Sequence, residues 1–278
     1  MERRSLVESG DTRLDAPERA AGAREHGTGP AEPAPPAPPG YEGTPPEAGS
    51  ARWWAQRAAS AGRRRPRPGG LSSQRIVEAA LDVLRDGGID GLTLRCVAER
   101  LDTTIASLYR HIASRDELIA LIADHVMGEI RLDRTGRGWR ADIEALMRDF
   151  RRISLDQPLP PSARSRTGYG PNMLRVVDAA LGLFLEAGLT ADQAGYATIT
   201  MLELMASDAI LRVHRPQSSG GPTGSDGFGE LLDGLPADQL TALRAAGGSY
   251  ISANADDVFD HSMAIFLDGV ASRVPRSG

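Results

Sequence analysis

The chain has no lysine, one cysteine (Cys96), and aromatic side chains at only 5% of its 278 positions. A single cysteine excludes an intramolecular disulfide and a thiolate zinc or iron–sulfur cluster, so a reducing cytoplasmic setting is expected. No run approaches the roughly 18 consecutive apolar residues that span a bilayer, and the N-terminus lacks an apolar signal core, so no membrane partner is expected. Also missing are a nucleophile–base set, a phosphate loop, a dinucleotide glycine pattern and any metal-ligand spacing. Neither enzymatic activity nor a cofactor or metal is therefore expected. With so few aromatics, Leu, Ala, Val and Ile must fill the core, which suits helices better than sheets. The fold class expected is all-α.

All 32 basic residues are arginine. Together with the many Ala, Gly and Pro residues, this reflects the base composition of the coding sequence, and no function is attached to it. The net charge of −5 argues weakly against a nucleic-acid partner until its distribution is considered. It is −4 over 1–50, +5 over 51–140, 0 over 141–190 and −6 over 191–278. Positive charge is confined to one region.

Residues 1–50 are poor in apolar side chains and rich in Pro, Gly, Ala and Glu, and cannot bury enough surface to offset ordering entropy. A disordered Pro-rich tail is expected over 1–68. Its end carries a basic arm, with seven arginines and no acid between Arg52 and Arg75, centred on Arg63, Arg64, Arg65 and Arg67. Such an arm suits a DNA minor groove, or it is a solvated linker. Whether Trp53 and Trp54 form a short helix or a partner contact stays open.

Order is expected from Leu71. Ser72 is a good N-cap, Ile76, Ala79, Ala80, Val83 and Leu84 form an amphipathic stripe, and Asp86-Gly87-Gly88 ends that helix. Thr93 caps a short helix with Leu94, Val97, Ala98 and Leu101 on its buried side. Asp102 and Thr103 make a turn, where aspartate tolerates left-handed geometry. A third helix over 104–111 buries Ile105, Leu108 and Ile112 and turns Ala106, Ser107, Tyr109, Arg110 and His111 outward. Three helices with this short middle turn predict a helix-turn-helix domain at 69–115. Ser114 and Glu117 form a capping box that starts a longer helix through Ile130.

A helical domain over 116–278 follows. The periodicity predicts a loop over 131–138 and helices over 139–155, 172–187, 191–213, 236–246 and 255–274, with a Gly/Ser-rich mobile stretch at 216–229. No strand pattern competes.

Over 71–127 the sequence resembles the TetR family of one-component repressors. The resemblance rests on Gly88-Ile89-Asp90-Gly91-Leu92-Thr93, on Leu108-Tyr109-Arg110-His111, and on the Arg115-Asp116-Glu117-Leu118 entry to the next helix. Asp102 and Thr103 depart from the family's usual glycine and small apolar residue. The resemblance implies that Thr104 is a DNA-binding residue beginning a recognition helix whose Ile105, Ala106 and Ser107 face the groove floor. Ala106 then suits a thymine methyl, Ser107 a base edge, and Arg110 a guanine. Tyr109 and His111 resemble the family's backbone-contact pair, Arg95 reaches a base or phosphate, Thr93 offers its amide to a phosphate, and Arg115 clamps another. Competing roles are core packing for Tyr109, a local carbonyl for His111, and a solvated charge for Arg115. Cys96 is read as packing rather than a redox switch.

The C-terminal half, with Gly170-Pro171-Asn172, resembles the sensor and dimerisation domain of the tetracycline-repressor-like branch. This implies a homodimer, in which the long helix from Ala191 and the last helix pair with their copies, and two heads on a palindromic double-stranded DNA operator. It also implies an unknown small-molecule effector held by Leu146, Phe150, Val177, Ala180, Phe184, Met201 and Met205; plain core packing is the alternative for each. Positions that would carry a tetracycline–magnesium site match Arg166, Leu146 and Ala180, which argues against tetracycline. His125 and His214 are read as structural. The function expected is a sequence-specific DNA-binding transcriptional regulator, a repressor released by its effector through the capping-box helix. The alternative is a helical protein-interaction or adaptor module without DNA binding.

Overall fold

The computed structural model describes residues 45–61, 70–157, 159–160, 163, 169–214, 228–236 and 238–275. Among these every regular element is helical. None of the helices is long and apolar enough to cross a membrane.

The helices are α1 Ala51–Ala61, α2 Ser73–Gly91, α3 Leu94–Arg100, α4 Ile105–Tyr109, α5 Arg115–Met127 and α6 Trp139–Asp156, then α7 Pro171–Glu186, α8 Ala191–His214, α9 Phe228–Asp233, α10 Thr241–Ser252 and α11 Ala255–Ala271. Helix α1 departs from the expected disordered tail over residues 51–61, while 1–44 and 62–68 lie outside the described residues. Ser50 Oγ accepts the Trp53 amide at 3.2 Å to start it, and Trp53 is buried in the core. The arm residues Arg63, Arg64, Arg65 and Arg67 lie outside the described residues, as does most of 216–229.

Caps set the boundaries in the first half. Ser72 Oγ accepts the Arg75 amide at 3.2 Å, and Thr93 Oγ1 accepts the Cys96 amide at 3.1 Å. Helix α2 breaks at Gly88, where φ is +65° and only glycine is unstrained, so the expected end at Gly87-Gly88 is a kink inside a longer element. Asp102 takes φ +48°, the left-handed geometry expected of it.

Helices α2, α3 and α4 pack as the head. Helix α5 is buried on every side through Leu118, Ile119, Ala120, Leu121, Ile122, Ala123, Val126 and Met127. A helix apolar all round belongs between layers, and α5 packs on α2 behind the head and on α6 and α7 beyond it. The second layer is α6, α7 and α8 in mutual contact, with α11 laid on α8 and α6. The loop over 131–138 is tied down by two buried carboxylates of α6. Asp142 Oδ1 accepts the Thr135 amide at 2.6 Å and its hydroxyl at 2.5 Å, and Asp149 accepts the Arg131 amide at 2.7 Å.

The helix expected over 236–246 is displaced. Leu240 sits at φ +54° and α10 begins after it, while Arg244 turns back to donate to the carbonyls of Leu235 at 2.8 Å and Gln239 at 3.2 Å. Its guanidinium gathers the end of α9 and the following turn, a tie that periodicity does not report.

Candidate nucleic-acid interface

The third helix of the head, α4, is short, and its placement comes from both ends. At its start Thr104 Oγ1 accepts the Ser107 amide at 3.2 Å, satisfying one of the donors a helix leaves open. In its middle Leu108 is fully buried. At its end the amides of His111 and Ile112 both reach the Leu108 carbonyl, at 2.8 and 2.9 Å, and Ile112 is buried. With Leu108 and Ile112 pinned, Ala106 and Arg110 are exposed and Ser107 is half-exposed beside them. Arg110 Nη2 donates to Ser107 Oγ at 3.0 Å, which pre-aligns a guanidinium and a hydroxyl on one surface.

Of the other expected contacts, Thr93 and Arg95 are exposed at the start of α3, and Arg95 pairs with Glu99 at 3.0 Å. Exposed pairs of this kind are worth little and yield readily to another anion. Ile105 and Tyr109 are half-buried against the core, so Tyr109 serves packing as well as surface. Cys96 is likewise packed there. The carbonyl of His111 accepts Arg57 Nη1 at 3.5 Å.

Arg115 is exposed at the start of α5, where Nε donates to the Leu92 carbonyl at 2.8 Å and Nη2 to the Ile89 carbonyl at 2.5 Å. Those carbonyls belong to the last turn of α2 and the residue after it, where a helix leaves acceptors open, and Arg115 closes them.

The expected effector residues come together on α6, α7 and α8. Leu146, Ala180, Phe184, Met201 and Met205 are buried, and Phe150 and Val177 pack against the same core. Leu146 borders a cavity of about 210 Å³ whose mouth is polar, with Arg131, Arg134, Asp142 and Asp178. Thr198, 2% exposed on the same side of α8 as Met201 and Met205, has a hydroxyl without a hydrogen-bond partner. The side chain of His214 lies outside the described residues, and His125 is half-buried on α5.

Sequence reasoning missed three groups. Trp53, Arg57 and Glu117 join α1 to the head. Asp124 caps α7, its Oδ1 accepting the amides of Asn172 at 2.9 Å and Met173 at 3.3 Å. Burial pushes that carboxyl above the usual aspartate range, against the pull of those donors. Arg151 joins α6 to Asp208 of α8 at 3.0 Å and Asp256 of α11 at 2.6 Å, over the Phe259 ring. The signal for the first was two adjacent tryptophans in a chain holding three; the others carry no local signal.

The family model described as "Bacterial regulatory proteins, tetR family" matches residues 76–122, and "Tetracyclin repressor-like, C-terminal domain" matches 132–274. The class A tetracycline repressor of transposon 1721 from Escherichia coli is 29% identical over 73% of this chain and 92% of its own length. The solved structure of apo ActR from Streptomyces coelicolor superposes with a TM-score of 0.65 at 27% identity, over 73% of this chain and 96% of ActR. ActR in complex with actinorhodin superposes with a TM-score of 0.64 at 28% identity, over 73% and 98%. With the head built by α2 to α4 and a matched C-terminal domain behind it, the chain belongs to the TetR family of bacterial regulatory proteins and is a DNA-binding transcriptional regulator.

Proposed function

We propose that the protein is a homodimeric repressor that holds a palindromic operator through two copies of α4 and releases it when a small molecule occupies the core between α6, α7 and α8. The observation that carries this reading is the row Ala106, Ser107 and Arg110, exposed on a helix whose other side is pinned by Leu108 and Ile112. Short polar and planar side chains on a fixed helix are what base edges in a major groove require. In this reading Ala106 meets a thymine methyl, Ser107 a base edge, and Arg110 the O6 and N7 of a guanine. Tyr109, His111, Thr93 and Arg95 flank them toward phosphates, and Arg63, Arg64, Arg65 and Arg67 add an arm for the minor groove.

Dimerisation is supported by the outer face of α8 and α11. Tyr196, Ile199 and Leu211 on α8 and Ile265 on α11 are each more than half exposed in the single chain. Tyr196 and Ile265 also border one groove, and exposed apolar side chains gathered in this way mark an interaction surface. Two-fold pairing there sets two heads on one side of the duplex, about 34–36 Å apart.

For the effector, the apolar lining and the unpaired hydroxyl of Thr198 favour a largely apolar molecule with one hydrogen-bonding group inside. The TetR family protein ActR, similar in fold, is solved in complex with a small molecule, actinorhodin. Release requires that the effector bind the DNA-incompetent arrangement more tightly, since equal affinity shifts nothing.

The test is selection of bound fragments from the protein's own genome, followed by anisotropy titration of the selected duplex. Binding should weaken steeply with salt and fall in Arg110→Ala and Tyr109→Phe. Unaltered binding in both variants sinks the assignment of α4.

A further inference from the structure

Helix α5 connects head and sensor through the core, and the structure holds a second connection made by α1. One face of α1, with Trp53 and Arg57, holds the start of α5 and the head. Trp53 Nε1 donates to Glu117 Oε1 at 2.9 Å, and Arg57 lies 5.4 Å above the Trp53 ring. Arg57 also donates to Ser73 Oγ at 2.9 Å, at the start of α2, and to the His111 carbonyl at 3.5 Å, just past the end of α4. The neighbouring side chain points to the sensor. A Cβ on Gly170 would lie 2.7 Å from Trp54 Cζ2 and 2.3 Å from Asp124 Oδ1, so the indole closes over the first residue of the α7 entry. Trp53 and Trp54 meet edge to face, with centroids 4.6 Å apart at 74°, a packed pair rather than two independent contacts.

We propose that α1 is a strap that ties the end of the recognition helix to the start of α7, with Arg57 and Trp54 as its two positioning residues. A shift of α7 then reaches His111 through two indoles in edge-to-face contact and one guanidinium, beside the core of α5, whose Glu117 holds Trp53 in place. The proposal rests on the repressor reading for its purpose but not for its test. A rigid route of this length transmits because packed aromatic contacts have few alternative arrangements.

The experiment is amide hydrogen exchange on the free full-length protein, in wild type, Trp54→Ala, Trp54→Phe, Arg57→Ala and Thr104→Ala. Trp54→Ala, at the sensor end, should raise exchange at His111 and Ile112 at least fivefold. Arg57→Ala, at the head end, should do the same at Asn172, Met173 and Leu174, and Trp54→Phe should restore the head to within twofold of wild type. Thr104→Ala loosens the start of α4 at its own cap, which bonds Ser107 rather than α1, and should leave residues 172–174 unchanged. Effects confined to the mutated end, or a distant effect reproduced by Thr104→Ala, overturn the strap. If Trp54→Ala fails to fold, Arg57→Ala against Thr104→Ala decides alone. Failure of the selected duplex to bind wild type counts against the repressor reading and leaves the exchange result standing.

Discussion

Trp53 and Glu117, 64 residues apart, are joined by a 2.9 Å hydrogen bond from the indole N–H to Oε1. The same carboxylate accepts the Ala113 amide through Oε2 at 2.7 Å, while its own amide is bound by Ser114 Oγ at 3.1 Å. The capping box of α5 is therefore three-way. Its acidic member reaches one residue beyond the cap and holds α1 with the oxygen that remains.

Two substitutions at position 53 separate the hydrogen bond from the packing. Trp53→Phe keeps an aromatic ring and removes the donor, and should lower stability by about 1 kcal/mol. Trp53→Ala also empties a site that is 6% exposed and should lower it by about 3–5 kcal/mol. Urea denaturation of the full chain reads both; equal losses would mean that the ring contributes nothing beyond its N–H.

Local chemistry made the head legible. Ser72, Thr93, Thr104 and Ser114 each cap the helix they precede, and Asp102 takes the left-handed turn its side chain tolerates. These signals act within four residues, so a one-dimensional reading captures them. Helix α1 stayed illegible because its stability comes from Glu117, Ser73 and the His111 carbonyl, none near it in sequence, while Pro-rich neighbours suggested disorder. The bonds of Arg115 were illegible for a related reason: the carbonyls of Leu92 and Ile89 that it meets lie 23 and 26 residues before it.

Gly170→Ala should destabilise the chain by about 1–3 kcal/mol through overpacking alone. The backbone there, φ −83° and ψ 178°, is open to any residue, so no conformational strain enters. What an added Cβ meets is the Asp124 carboxylate, the cap of α7. Thermal melting beside Gly182→Ala, where the added Cβ meets nothing within 4 Å, isolates the steric effect; equal midpoints would refute it.

The loop over 131–138 should be acid-labile. Hydrogen bonds from the Thr135 hydroxyl and amide, with Arg134, hold the Asp142 carboxyl below the usual aspartate range. Burial alone would raise Asp149, but the Arg131 amide and the guanidiniums of Arg131 and Arg152 outweigh it and hold it low too. A depressed folded pKa gives stability that is present above the unfolded value and lost as pH falls through the folded one. Melting temperature should therefore drop below about pH 4, and Asp142→Asn should flatten that drop while lowering stability at neutral pH. An unchanged acid limb in Asp142→Asn would remove this residue from the account.

The face shared by α8 and α11 offers the sharpest separation of assembly from folding. Ile265 is 59% exposed and Tyr196 72% exposed, and both border one groove of about 310 Å³ between these helices. Exposed side chains contribute little to the stability of the single chain, so Ile265→Asp should leave helical content unchanged and shift unfolding by no more than about 0.5 kcal/mol per chain once association is accounted for. Across a two-fold interface the same change counts twice, because each copy presents its aspartate to the other. Sedimentation should then show a monomer at concentrations where wild type is a dimer. Binding to the full palindrome should collapse toward the affinity for a half-site, since two linked heads raise the local concentration of the second by orders of magnitude. A variant that remains dimeric and binds the palindrome like wild type would place the interface elsewhere.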